Sequence, residues 1–120
     1  YRIMTHIAAQ TSLFIGDSSP IWEVAFQTSA EGVDPVVLAT LDGTYSCRIA
    51  VQGTTIDRAV TEKTVDNKYF RAWLTPDETL QLTPGIKMAG IQIKNDSLTP
   101  PLVLEYQVVL NVSQGIVPNT

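Results

Sequence analysis

A hydrolytic triad, a reactive thiolate, a carboxylate pair and a metal cage each need particular side chains at particular spacings, and this sequence is thin in all four. Its one histidine is His6, close to the N-terminus. A histidine base must hold a nucleophile's proton and be oriented by a third group, and nothing around Thr5-His6-Ile7 has that pattern, so His6 reads as an ordinary surface or packing residue. The one cysteine, Cys47, lies in an apolar alternation with no basic residue on its own face. Reactive thiolates need an electropositive setting, so Cys47 reads as buried and inert. A lone cysteine also excludes an internal disulfide framework and a cysteine-rich zinc site. Asp34, Asp42, Asp57, Asp66 and Asp96 fall in expected turns, where a short carboxylate is favoured for bonding to its own backbone. Asp77 and Glu78 are adjacent and do not read as two acids facing each other across a cleft. Leu41-Asp42-Gly43-Thr44 has Gly and Thr in the wrong order for an aspartic-protease loop. No calcium loop or phosphate loop is present. Asn95-Asp96-Ser97 and Asn111-Val112-Ser113 match the glycosylation acceptor but read as chance matches without an export signal. The expectation is a protein with no catalytic residue, no cofactor and no metal, and therefore not an enzyme.

Aromatic side chains are the remaining lead. Trp22 alternates with apolar neighbours and reads as core. Residues 68–74 can bury Phe70, Ala72 and Leu74, or instead Tyr69 and Trp73 with Arg71 between them. In the first arrangement Tyr69, Arg71 and Trp73 line an outward sheet face. Aromatics beside an arginine make a good protein interface or a platform on which a sugar ring stacks.

The elements that must position these residues follow from composition and period. The chain has 120 residues with a net charge of -4, 44% of them hydrophobic and 17% charged. That is enough for one core and too little for two. The eight cations are dispersed among twelve acids, which argues against nucleic acid binding, where clustered cations displace counterions. No apolar run approaches the ~20 residues that cross a bilayer, so no membrane partner is expected. Leu102, Leu104, Tyr106, Val108, Leu110 and Val112 alternate with Val103, Glu105, Gln107, Val109 and Asn111, a period of two that predicts a strand with one dry face. Tyr45, Cys47, Ile49 and Val51 repeat the pattern, as do Trp22, Val24 and Phe26. Residues 11–15 and 54–60 predict short strands, the second at a sheet edge. In residues 86–94 the apolar phase switches from Ile86 and Met88 to Ala89, Ile91 and Ile93, and a bulge beside Gly90 would explain the switch. Gly16-Asp17-Ser18-Ser19-Pro20, residues 30–35, Asp42-Gly43 and Asn95-Asp96-Ser97 are turn signals. Thr75-Pro76-Asp77-Glu78-Thr79 predicts one capped helical turn.

The fold expected is therefore all-β, an immunoglobulin-like β-sandwich in a single domain with at most one short helical turn. Residues 1–10 read as an N-terminal arm, with Tyr1-Arg2-Ile3 a remnant if Met4 is the native start. Residues 11–112 read as the sandwich and residues 113–120 as a C-terminal tail.

Phe14-Ile15-Gly16-Asp17, the Asp42-Gly43 turn before a strand, Ala72-Trp73-Leu74-Thr75-Pro76-Asp77-Glu78-Thr79, and Leu82-Thr83-Pro84-Gly85 running into residues 86–94 occur in a recognisable order. In that order the chain resembles immunoglobulin-like domains of tailed-phage virion proteins, in particular the N-terminal domain of phage upper baseplate proteins. It differs from them in having Ile86 where an aromatic often follows Pro-Gly, and Thr99-Pro100-Pro101 in place of a plain glycine turn. The resemblance implies a structural component of the virion, in baseplate, tail or head, assembled in the host cytoplasm through contacts with other virion proteins and with copies of itself. The alternative is a carbohydrate-binding or host-receptor-binding module holding a host glycan on Tyr69 and Trp73.

Overall fold

A computed structural model describes residues 2–4, 9–28, 37–38, 40–97 and 101–114. In chain order the elements are β1 (Arg2–Met4), β2 (Ala9–Phe14), β3 (Trp22–Val24), β4 (Gln27–Thr28), β5 (Val37–Leu38), β6 (Tyr45–Val51), β7 (Asp57–Val60), β8 (Phe70–Ala72), α1 (Pro76–Thr79), β9 (Gly85–Asn95) and β10 (Leu102–Ser113). The main sheet runs β1-β10-β9-β6-β7, and β2 follows β1 along the same edge of β10. β1 and β2 are parallel to β10, whereas β10-β9, β9-β6 and β6-β7 are antiparallel. Arg2–Met4, inside the stretch read as an arm, thus lends a strand to the sheet. A second layer consists of β3 paired antiparallel with β8, and β4 pairs with β5.

This is an all-β sandwich. β6, β9 and β10 stand where the C, F and G strands stand in an immunoglobulin sheet, and β3-β8 stand where B and E do. One core lies between the layers: Cys47, Ile49, Ile91, Ile93, Leu104, Tyr106 and Leu110 from the main sheet meet Val24, Phe26, Phe70, Ala72 and Leu74 from the other side. Parity puts them there. Leu104, Tyr106, Val108, Leu110 and Val112 are all buried, and every second neighbour on β10 from Val103 to Asn111 is only half-buried. Cys47, Ile49 and Val51 repeat this on β6, while Tyr45 is half-buried and tilts against the Phe26 ring at 5.4 Å. Trp22 packs on the rim of the core, and its Nε1 donates to Thr11 Oγ1 at 3.2 Å.

The bulge expected beside Gly90 is absent. β9 pairs with β10 without a break from Gly85↔Val112 to Asn95↔Leu102. Ala89, Ile91, Ile93 and Asn95 hold one inward phase throughout, and the apparent switch arises because Ile86 and Met88 point outward. A bulge would have swung the central strand out of register with both neighbours.

The turns form by the chemistry expected of them. Gly53 has φ +78°, a conformation that costs a glycine little, and Thr54 closes the β6-β7 connection by donating to Val51 O and accepting from Ile56 N. Thr75 caps α1 and Glu78 returns the bond in a complete capping box, with Pro76 leading the helix. Asp34 and the rest of the turn at residues 30–35 lie outside the described residues.

Burial of this kind makes the inward phase costly to disturb. Leu104→Ala and Leu110→Ala should each lose about 2–5 kcal/mol through the cavity left behind, whereas Ser12→Ala and Ser46→Ala, on exposed outward positions, should stay within about 0.5 kcal/mol. Urea unfolding measures both pairs, and the opposite ranking would shift the register by one residue.

Candidate functional site

Residues 70–74 adopt the first of the two phases open in the sequence: Phe70, Ala72 and Leu74 are buried, and Tyr69, Arg71 and Trp73 are half-buried on the other side. Arg71 sits opposite Glu23 in the β3-β8 register, with its Nε 3.9 Å from Glu23 Oε2. Its backbone N–H donates to Glu62 O, which draws the chain after β7 alongside β8. Arg71 and Trp73 share a shallow depression of about 180 Å³ with Arg58, Thr61 and Glu62. Tyr69 does not line it. The Tyr69 backbone instead exchanges bonds with Thr64, and Tyr69 acts electrostatically on Tyr106. Burial lifts the Tyr106 hydroxyl above its ordinary range, with Tyr69 adding to the rise. The structure therefore brings together two of the three proposed platform residues.

The sequence marks Glu78 only as the neighbour of Asp77 in a capped turn and gives Arg58 no role, yet together they organise this region. Arg58 reaches from β7 to the first turn of α1, donating from Nε to Glu78 Oε2 at 2.9 Å and from Nη2 to Glu78 Oε1 at 3.0 Å. Nη2 also donates to Trp73 O, and Thr75 N–H donates to Glu78 Oε1. Burial alone would raise the Glu78 carboxyl. The Arg58 and Thr75 hydrogen bonds and the Arg58 charge outweigh it, and the net displacement is downward. The fork of a guanidinium on both carboxylate oxygens is the geometry in which an ion pair contributes most. Twenty residues separate the partners, so no short-range pattern announces them.

Cys47 is buried and its thiol is pushed up to about 12 by desolvation, which keeps it protonated at neutral pH. Asp42 accepts from the Thr44 hydroxyl and N–H, and Asp66 from the Thr64 hydroxyl and Lys68 N–H, which holds both carboxyls below the usual range. Asp57 pairs with Arg48 and Asp96 with Lys94. Among the described residues no three His, Cys, Asp or Glu side chains gather as a metal site. His6 lies outside them.

The unbroken phase of β9 creates a second surface, which a phase switch at Gly90 would have divided. The outward face of the main sheet carries Phe14, Ile86, Met88, Val109, Ala50 and Gly90 in adjoining rows. Ile86 is 70% exposed and Phe14 53%. Where Gly90 and Ala50 lie side by side the face dips into a depression of about 330 Å³, also lined by Gln52, Met88, Glu105 and Gln107. No protein-family model, curated protein or solved structure matches the chain.

The Arg58–Glu78 clamp carries a pH signature. Because the folded Glu78 carboxyl is held below its unfolded value, its contribution is complete above the ordinary glutamate range and is lost as pH falls through the folded value. Glu78→Gln should cost about 1–3 kcal/mol at pH 7, and urea unfolding at pH 3 should find the gap to the parent chain narrowed. An undiminished gap at pH 3 would assign the loss to packing.

Proposed function

We propose that this domain is a structural assembly module of a tailed-phage virion, joining parts of the particle through protein–protein contacts. The observation that carries the reading is the outward face of the main sheet. Apolar side chains lie there in consecutive rows on an unbroken antiparallel ladder, with Ile86 mostly exposed. Scattered surface apolar residues need no explanation, but a contiguous exposed apolar patch marks an interaction face. The order of turn and strand motifs resembles that of phage baseplate domains, which is what points to a virion, and the apolar rows of the face suit contacts between proteins. In purified phage particles from an infected host, quantitative mass spectrometry should find the chain at a fixed copy number relative to the other structural proteins. Its absence from particles would overturn the reading.

A second reading has one observation of its own. Trp73 and Arg71 share a shallow, polar-walled depression with Arg58, Thr61 and Glu62, and an indole beside forked cations and an acid is suited to a sugar ring and its hydroxyls. On this reading the domain is a host-glycan-binding module. Binding to a glycan array that disappears in Trp73→Ala, with the unfolding midpoint retained, would favour it. Silence of the parent chain on the array would remove it.

A further inference from the structure

The two indoles differ in what their N–H groups meet. Trp22 Nε1 donates to Thr11 Oγ1. Trp73 Nε1 has no partner among the described residues, and since no buried side-chain nitrogen or oxygen there lacks one, it opens to solvent. Beside it the Arg71 guanidinium makes no hydrogen bond among the described residues and approaches only Glu23 Oε2, at 3.9 Å. Arg71 stands between two acids. Glu23 faces it across the β3-β8 register. Glu62 faces it from the other side, where the Lys63↔Phe70 bridge and the Arg71 N–H bond to Glu62 O hold the chain after β7 antiparallel to β8. From this juxtaposition, and resting on the glycan-binding reading above, we infer that the depression holds a neutral sugar, with Glu62 accepting from one ring hydroxyl, Arg71 donating to its neighbour, and Trp73 against the ring.

Hydroxyls on adjacent ring carbons each donate and accept, so a ligand that carries them needs donors and acceptors side by side. The row Glu23, Arg71, Glu62 offers acceptor, donor and acceptor on chains about 4.8 Å apart. Trp73 follows Arg71 by two positions on the same face, about 7 Å further along the chain. Its indole adds an apolar flank for the ring and one more donor. These groups are fixed before a ligand arrives. Arg58 holds Trp73 O and both carboxylate oxygens of Glu78, and the backbones of Arg71 and Glu62 are bonded to each other. A site held in this way loses little freedom on binding.

Charge decides which sugars fit. Arg58 is neutralised by Glu78, so the row of Glu23, Arg71 and Glu62 is left with a sum of -1, on a chain that carries -4. A carboxylated sugar would add a like charge, and one unit at about 5 Å is worth about fourfold in binding even at the dielectric of water. An amino sugar would set its ammonium against the guanidinium at the centre of the row. A neutral ring meets neither penalty. The depression of about 180 Å³ has the room of about six water molecules, which suits one ring of a glycan, with the rest of the chain in solvent.

A glycan array printed with hexoses, the matching hexuronic acids and the matching amino sugars tests the inference, followed by titration of tryptophan fluorescence with the free sugar of each retained spot. The parent chain should hold at least one hexose, with the matching uronic acid at least about fourfold weaker. Arg71→Lys, which removes the planar fork, and Glu62→Gln, which removes the charged acceptor, should each weaken hexose binding on the order of 10-fold. Glu62→Gln should also narrow the gap between hexose and uronic acid, which loss of packing alone would not do. Glu62 is exposed and Arg71 half-buried, so both variants should keep the circular dichroism and urea midpoint of the parent. Preference for a uronic acid or an amino sugar, or hexose binding untouched by both substitutions, would overturn the inference and leave the glycan-binding reading standing. Silence of the whole array removes both.

Discussion

A two-stranded layer of three residues per strand has to cover one face of a six-stranded sheet, and the rest of the structure is arranged around that mismatch. A pair of short strands is marginal alone. Its apolar contribution comes from Val24, Phe70 and Ala72, with Phe26 and Leu74 just beyond the strand ends. The layer is held in place by polar ties spanning long stretches of sequence. The Tyr106 hydroxyl crosses from the main sheet to Ala25 O. Ser19, itself buried, exchanges backbone and side-chain bonds with Leu74. The buried Thr79 hydroxyl accepts from Gly16 N–H and donates to Asp17 O, which fixes the turn after β2 against α1. Arg58 ties β7 to both Trp73 O and Glu78.

These ties stabilise through what their loss would expose. A neutral hydrogen bond contributes about 1 kcal/mol net, but a buried carbonyl or hydroxyl left without its partner costs its full desolvation. Among the described residues no buried side-chain nitrogen or oxygen lacks a partner. The polar clamps therefore act less as glue than as a register device: the small layer can sit in one position only, because any other strands several buried polar groups at once.

This division explains what was legible in the sequence. The inward phases of β6 and β10 could be read directly, since a period of two survives in any stretch long enough to show it, and so could the capped turn at Thr75, whose signature lies within four residues. The clamps could not. Arg58 and Glu78, Tyr106 and Ala25, and Gly16 and Thr79 are 20, 81 and 63 residues apart, and each residue alone has an ordinary local explanation. Of the proposed platform, the outward phase of Tyr69, Arg71 and Trp73 was one of two open alternatives. Their separation into a shared Arg71–Trp73 depression and a Tyr69 tied through its backbone to Thr64 depends on the chain beyond the strand. The outward face of β9 was misread for an instructive reason. Ile86 and Met88 are apolar and outward, and a rule that equates apolar with inward has to invent a bulge to accommodate them.

That failure bears on function more than the successes do. Along β9 the inward positions Ala89, Ile91 and Ile93 are committed to the core and Asn95 to the Thr44 and Ser97 turn. The outward positions are released from any demand of the fold, and solvent would be met most cheaply by polar side chains there. Ile86, Met88 and Gly90 are instead two apolar residues and the residue least suited to a strand. Each departs from the local optimum in a different way, by hydrophobicity in two cases and by backbone entropy in the third, and all three lie on one face within five residues. Where local preference and global fold disagree at neighbouring positions on one face, that face is where the proposed contacts between proteins would be made.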